Sequence, residues 1–222
     1  MNSPTTRPVD AAWAVIHDWL QRECPALLPT LNPPATAAAL AALERALKVA
    51  LPEDFKASYR IHNGSARGSG PIIGVPMLAT ADIVQVWKDL KSVAKDWAEM
   101  LPIQASFKRG AIKEDAFNPK WIPFLGPDED NYVGLDLDPG PAGSKGQVIN
   151  FGADEFKYDS NRFVFAPSFG VFLNHVADLM SGGKVVPHQD GCLALKQLRH
   201  DGAQCNLLTG AAMLFGEQGG DA

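Results

Sequence analysis

Cysteine is scarce in this 222-residue chain: Cys24, Cys192 and Cys205 are its three, far apart and with no C-x-x-C pair. An odd, scattered set supplies no disulfide framework and suits reduced thiols, so a cytoplasmic location is expected. Long apolar runs are missing too. None approaches the ~18–20 residues of a membrane-spanning helix. The opening MNSPTTRPVDAAW has neither the basic start nor the apolar stretch of a secretory signal. No membrane partner is expected. The histidines (His17, His62, His175, His188, His200) form no H-E-x-x-H or H-x₃₋₅-H pair, which leaves no zinc motif. Positive charge is in deficit, with 20 basic against 25 acidic side chains and a formal charge of −5. That balance argues against direct nucleic-acid binding and against adhesion to an anionic bilayer.

Catalytic motifs are equally absent. Gly64 to Gly70 (GSARGSG) and Pro139 to Gly146 (PGPAGSKG) are glycine-rich but miss the P-loop spacing, so both read as turns. No G-x-S-x-G surrounds Ser65, Ser69 or Ser168. Cys192 and Cys205 lack the neighbouring charges that lower a thiol pKa. No cofactor, metal site or catalytic residue is nominated.

What the chain does have is apolar patterning, 46% hydrophobic residues in all, enough to bury a core without staples. Residues 10–24 read as an amphipathic helix with Asp10 at its start and Trp13, Ile16 and Leu20 at helical spacing. Its tryptophans, Trp13 and Trp19, suit docking on the domain or on a second subunit. Pro25, Pro29, Pro33 and Pro34 make a stiff linker. Thr36 caps a second helix carrying Leu40, Leu43 and Leu47. A third opens at Leu51-Pro52-Glu53-Asp54, turns Phe55, Tyr59 and His62 inward and stops at Asn63-Gly64. On that inward face His62 reads as a hydrogen-bonded structural imidazole. Pro71 to Leu78 reads as a short strand. The cleanest helical period runs from about Thr80 to Met100, with Ile83, Trp87, Leu90, Ala94 and Trp97 on one stripe. Residues 102–120 read as an irregular, mobile loop.

The period then drops to two. Trp121 to Leu125 is an apolar strand, and Val133, Leu135 and Leu137 alternate with Tyr132, Gly134, Asp136 and Asp138. Gln147 to Phe151 and Arg162 to Ala166 add strands, and the turn-like links between them predict an antiparallel meander. Ser168 caps a last helix with Phe169, Phe172, Val176 and Leu179 inward, stopped by Gly182-Gly183. Residues 184–215 fit helix or strand equally. The tail from Gly216 is expected to be disordered.

Five blocks occur in order: Leu51-Pro-Glu-Asp-Phe with His62-Asn-Gly64, Trp121-Ile-Pro-Phe, Asn131-Tyr132, Asp136-Leu-Asp-Pro139 with Gly146-Gln-Val148, and Ala166-Pro-Ser-Phe169. Together they resemble the SUKH superfamily, the Smi/Knr group that takes its name from fungal cell-wall assembly regulators. The resemblance covers roughly residues 36–182. It implies an α+β fold, a mostly antiparallel sheet of about four to six strands flanked by helices. Residues 1–35 would be an N-terminal helix with its proline-rich linker, and 183–222 a C-terminal extension with a disordered tail. Functionally it implies a non-enzymatic protein-binding domain. The leading expectation is an immunity protein that neutralises a cognate toxin, a nuclease among the candidates. The alternatives are a regulator or scaffold of cell-wall or polysaccharide synthesis and, from another class, a hydrolase with an acidic metal site.

One segment concentrates charge. Asp128-Glu129-Asp130 leads through Asn131 and Tyr132 to Asp136 and Asp138, five acids in eleven residues without a base. As a calcium loop it fails, because Val133 stands where glycine is needed and Pro139 closes the stretch. As a hydrolytic carboxylate pair it lacks a neighbouring base or nucleophile. Two readings stay open: the solvent face of a strand with turn residues, or an acidic docking surface for a basic protein. Under the second, Asp128, Glu129, Asp130, Asn131, Tyr132, Asp136 and Asp138 bind the partner, and Trp121 is either an interface anchor or core.

Overall fold

The computed structural model describes residues 7–72, 74–100, 109–128, 131–152, 162–187 and 193–195. Helix α1 (Val9–Glu23) begins after Pro8, whose ring suits a helix entry, and Asp10 lies in its first turn without capping it. Trp13, Ile16, Trp19 and Leu20 are buried as their spacing requires. The proline stretch that follows is a 3₁₀ helix, η1 (Pro25–Thr30), and then extended chain. It does not hold α1 away from the rest, because α1 packs along α3 and α5. Helix α2 (Ala37–Leu47) is capped by Thr36, whose hydroxyl accepts from Ala39 N at 3.1 Å. Helix α3 (Glu53–Tyr59) ends four residues before the expected Asn63-Gly64 stop. Gly64 serves the turn instead. Its φ is +79°, and a Cβ there would collide with the backbone of residues 77–79.

Helix α4 (Thr80–Met100) matches its predicted span, with Ile83, Trp87 and Leu90 buried. The Trp97 side chain, like residues 101–108, lies outside the described part. The expected strand at 71–78 is reduced to isolated bridges, Ile72 with Val75 and Met77 with Leu125. Glycine and proline at Gly70, Pro71, Gly74 and Pro76 break it up.

The sheet is the meander the two-residue period implies: β1 (Trp121–Asp128), β2 (Asn131–Asp136), β3 (Gln147–Gly152) and β4 (Val164–Ala166), each antiparallel to the next. Helix α5 (Phe169–Ser181) follows, capped by the Ser168 hydroxyl on Val171 N. Where residues 184–215 are described they pair as strands, β5 (Val185–Pro187) with β6 (Leu193–Leu195). The expectation of a disordered tail from Gly216 falls outside the described residues. This is an α+β fold.

One face of the sheet meets helices. Phe124 of β1 sits edge-on to Phe169 and Phe172 of α5, while Phe55 of α3 lies against both Phe124 and Phe169. The other face is covered by residues 109–120. These are irregular, as expected, but packed: Ala111, Ile112, Phe117 and Asn118 are buried. That cover decides the character of the acidic strand.

Candidate functional site

Strand register brings three of the relevant side chains into one row. Trp121 pairs with Asp136 and Asp136 pairs with Gln147, so an indole, a carboxylate and an amide cross the sheet on the face under residues 109–120. Asp136 is 0% exposed. The solvent face expected from its alternation with Val133, Leu135 and Leu137 is therefore corrected at this residue. A two-residue repeat separates two faces, but it does not say that the second one is wet. Both carboxylate oxygens accept from neutral amides, Oδ1 from Asp138 N and Oδ2 from Gln147 Nε2, each at 2.9 Å. Burial pushes its pKa above the ordinary carboxylate value, and those two bonds only partly oppose the shift. The Trp121 indole N–H leans toward the same carboxylate and weakly favours its charge, yet it falls outside hydrogen-bond geometry and is buried without a partner.

Trp121 itself is core, at 0% exposure. Phe151 stacks on it at 5.6 Å, Phe117 meets it edge-on, and the Arg162 guanidinium lies 4.5 Å from its ring centroid. Arg162, nearly fully buried, also donates to the carbonyls of Lys113 and Ala116, fastening the covering segment to the sheet. Arg162 and Gln147 escaped the sequence reading. Their one visible signal is a polar side chain at the head of an apolar stretch.

Asp138 sits at the rim, half-exposed. It pairs with Lys113 Nζ at 2.7 Å and accepts from Asn118 Nδ2 at 3.0 Å. Lys113 first, then Asn118, hold its carboxyl below the usual range. Tyr132 is half-buried and stacks at 6.3 Å on Phe151. Asn131, opposite Asp128 in the register, is buried with its Oδ1 unpartnered. Glu129 and Asp130 lie outside the described residues, as does the side chain of Asp128. The four polar candidates whose side chains are described thus divide, Asn131 and Asp136 to the interior and Tyr132 and Asp138 to the rim. Among the described residues no group of three or more His, Cys, Asp or Glu side chains could hold a metal ion. The arrangement orients and buries a carboxylate, and among the described residues its hydrogen-bond donors are the Gln147 amide and the Asp138 backbone.

An antiparallel meander with helices on one face and a clamped irregular segment on the other defines a Smi/Knr-type α+β domain. The model of the SMI1 / KNR4 family (SUKH-1) matches residues 34–175, and the chain belongs to that family. Among curated proteins it is similar to the cell wall biosynthesis/cell cycle regulator smi1 of Schizosaccharomyces pombe. There the two are 35% identical, over 85% of this chain and 39% of the relative. It is 30% identical to the glucan synthesis regulatory protein of Neurospora crassa, over 84% of this chain and 41% of that protein. It is 28% identical to the cell wall assembly regulator SMI1 of Saccharomyces cerevisiae, over 78% of this chain and 40% of that protein. The chain spans about two fifths of the length of these relatives.

These relatives overturn the leading functional expectation. The family resemblance holds, but the expected immunity role does not follow from it. The similarity runs instead to fungal regulators of wall and glucan synthesis, across most of the chain. A cognate toxin as partner has no support. The relatives are named as regulators rather than as enzymes.

Proposed function

We propose that this chain is a protein-binding regulator of cell-wall or glucan synthesis that acts without catalysis of its own. The observation carrying this reading is its similarity to wall and glucan regulators over about four fifths of its length. The site geometry agrees with it: the buried Asp136 is tied up in structural hydrogen bonds to Gln147 and the backbone. A cytoplasmic place of action is part of the proposal and rests on the few, scattered cysteines.

Within this reading the partner is a protein, and the contact surface is the turn end of the β1–β2 hairpin. Tyr132 is half-buried there, and the sequence adds Asp128, Glu129 and Asp130 between the two strands. Acidic side chains in that position would steer a basic partner. The test is a chimera: the matching segment of the fission-yeast regulator is replaced by this chain, and wall glucan is measured. Normal glucan is expected, with a fall when Asp128 and Asp130 are both changed to Lys. A chimera no better than a strain lacking the segment would sink the regulatory reading. A charge-reversed chimera that works normally would sink only the hairpin surface.

A further inference from the structure

His62 has a partner 45 positions away in sequence. His17, on the α1 face that carries Trp13, places its Nε2 2.7 Å from His62 Nε2. The ring centroids are 4.9 Å apart, nearly the full sum of that gap and the reach of each nitrogen from its ring centre. The two nitrogens therefore point at each other. A pair of metal ligands would instead converge on a third point, so the geometry is that of a shared hydrogen bond.

The proton positions follow. His62 Nδ1 lies 3.0 Å from the Asn32 carbonyl oxygen, which can only accept, so Nδ1 carries a hydrogen. With both rings neutral, His62 Nε2 is then the acceptor and His17 Nε2–H the donor. The pair can take one proton, on His62, if His17 moves its own hydrogen to Nδ1. It cannot take two, because two N–H groups on two cations would then face each other across 2.7 Å.

We propose that the His17–His62 pair is an acid-released latch holding α1 to the body of the domain, closed with no or one added proton and open with two. The joint lies between α1 and the turn after α3, and the family model's match begins at residue 34, beyond α1. The Trp13 ring packs on both imidazoles, 5.5 Å from His17 and 5.0 Å from His62, so opening uncovers it. Burial, then the neighbouring His62, holds His17 below the ordinary histidine range, while Asp18 on the same helix opposes this. Charged groups on the elements packed against α1 are engaged elsewhere. Glu53 pairs with Lys56 and Arg60, Asp54 accepts from Phe55 N and Gly170 N, and Asp178 pairs with Arg7. His175 on α5 is also held low, by its own burial, and titrates as a separate group. Helix η1 carries no ionisable side chain.

The test uses the whole chain with ¹⁵N-labelled histidine, titrated by NMR from about pH 8 to about pH 5. His62 should appear as the Nδ1–H tautomer at the alkaline end. The pair should take up its protons in two separated steps, with α1 amide resonances moving at the lower one. Over the same range the thermal midpoint of the wild type should fall by several degrees more than that of His17→Gln, since His175 acts equally in both. Independent titration of the two rings at ordinary values, or parallel falls in midpoint, would overturn the latch. If His17→Gln does not fold, the wild-type titration alone decides.

Discussion

At the scale of single residues, Gln147 carries more of the fold than its polar side chain suggests. It is 1% exposed, and its amide donates to Asp136 Oδ2 and the Ala111 carbonyl while accepting from Ser144 N. Replacing it by Met keeps most of the volume and strands those three partners, which should cost about 2–4 kcal/mol in urea unfolding. An unchanged midpoint would show that water replaces the amide at no cost. Asp136 has its own signature. Its folded pKa is raised above 3.8, so the native state binds that proton more tightly than the unfolded chain. Stability from this group is therefore greatest below 3.8 and falls as pH rises through the raised value. Asp136→Asn should remove that slope, which urea midpoints across the acid range would reveal. Asp138, shifted down by Lys113, has the opposite sign but is too exposed to contribute much.

Among the elements, the N-terminal helix is fastened at three points, and two of them were invisible in the sequence. Trp13 Nε1 donates to the buried Ser58 hydroxyl at 2.9 Å, His17 meets His62, and the Asn174 amide pairs with the backbone of Arg7 in both directions. Asn174→Ala should cost about 1–3 kcal/mol and speed hydrogen exchange in the first turn of α1, while slow exchange there would refute the clamp. At the end of α2 the cap residue Lys48 has φ +54°, a left-handed conformation that glycine adopts without strain. Lys48→Gly should raise stability by roughly 1 kcal/mol, read as a higher thermal midpoint. Elements of one period are legible in the sequence, as the buried Ile83, Trp87 and Leu90 of α4 and the β1–β4 meander show. Contacts set by distant partners are not. Asp136 looks like a surface residue until a segment some 20 positions upstream is laid over it, and alternation carries no record of that cover.

For the whole molecule, the span matched by the family model understates what must fold together. Trp13, Ile16, Trp19 and Leu20 belong to the same continuous core as the sheet and α5. At about 1.5–3 kcal/mol for each buried large side chain, their loss approaches the 5–15 kcal/mol that holds a typical domain together. A fragment of residues 34–187 should therefore show poor NMR dispersion and no cooperative melt, and a sharp transition would mean α1 is an accessory. The short segment that failed to become a strand has a consequence of its own. Met77 bridges Leu125, Leu78 N donates to Phe124 O and Gly126 N donates to Pro76 O, along the outer side of β1. An uncovered sheet edge of that length is a template for aggregation between molecules. Three residues of loop, with Pro123 and Pro127 in the strand itself, occupy or remove the hydrogen-bonding positions that a second chain would need.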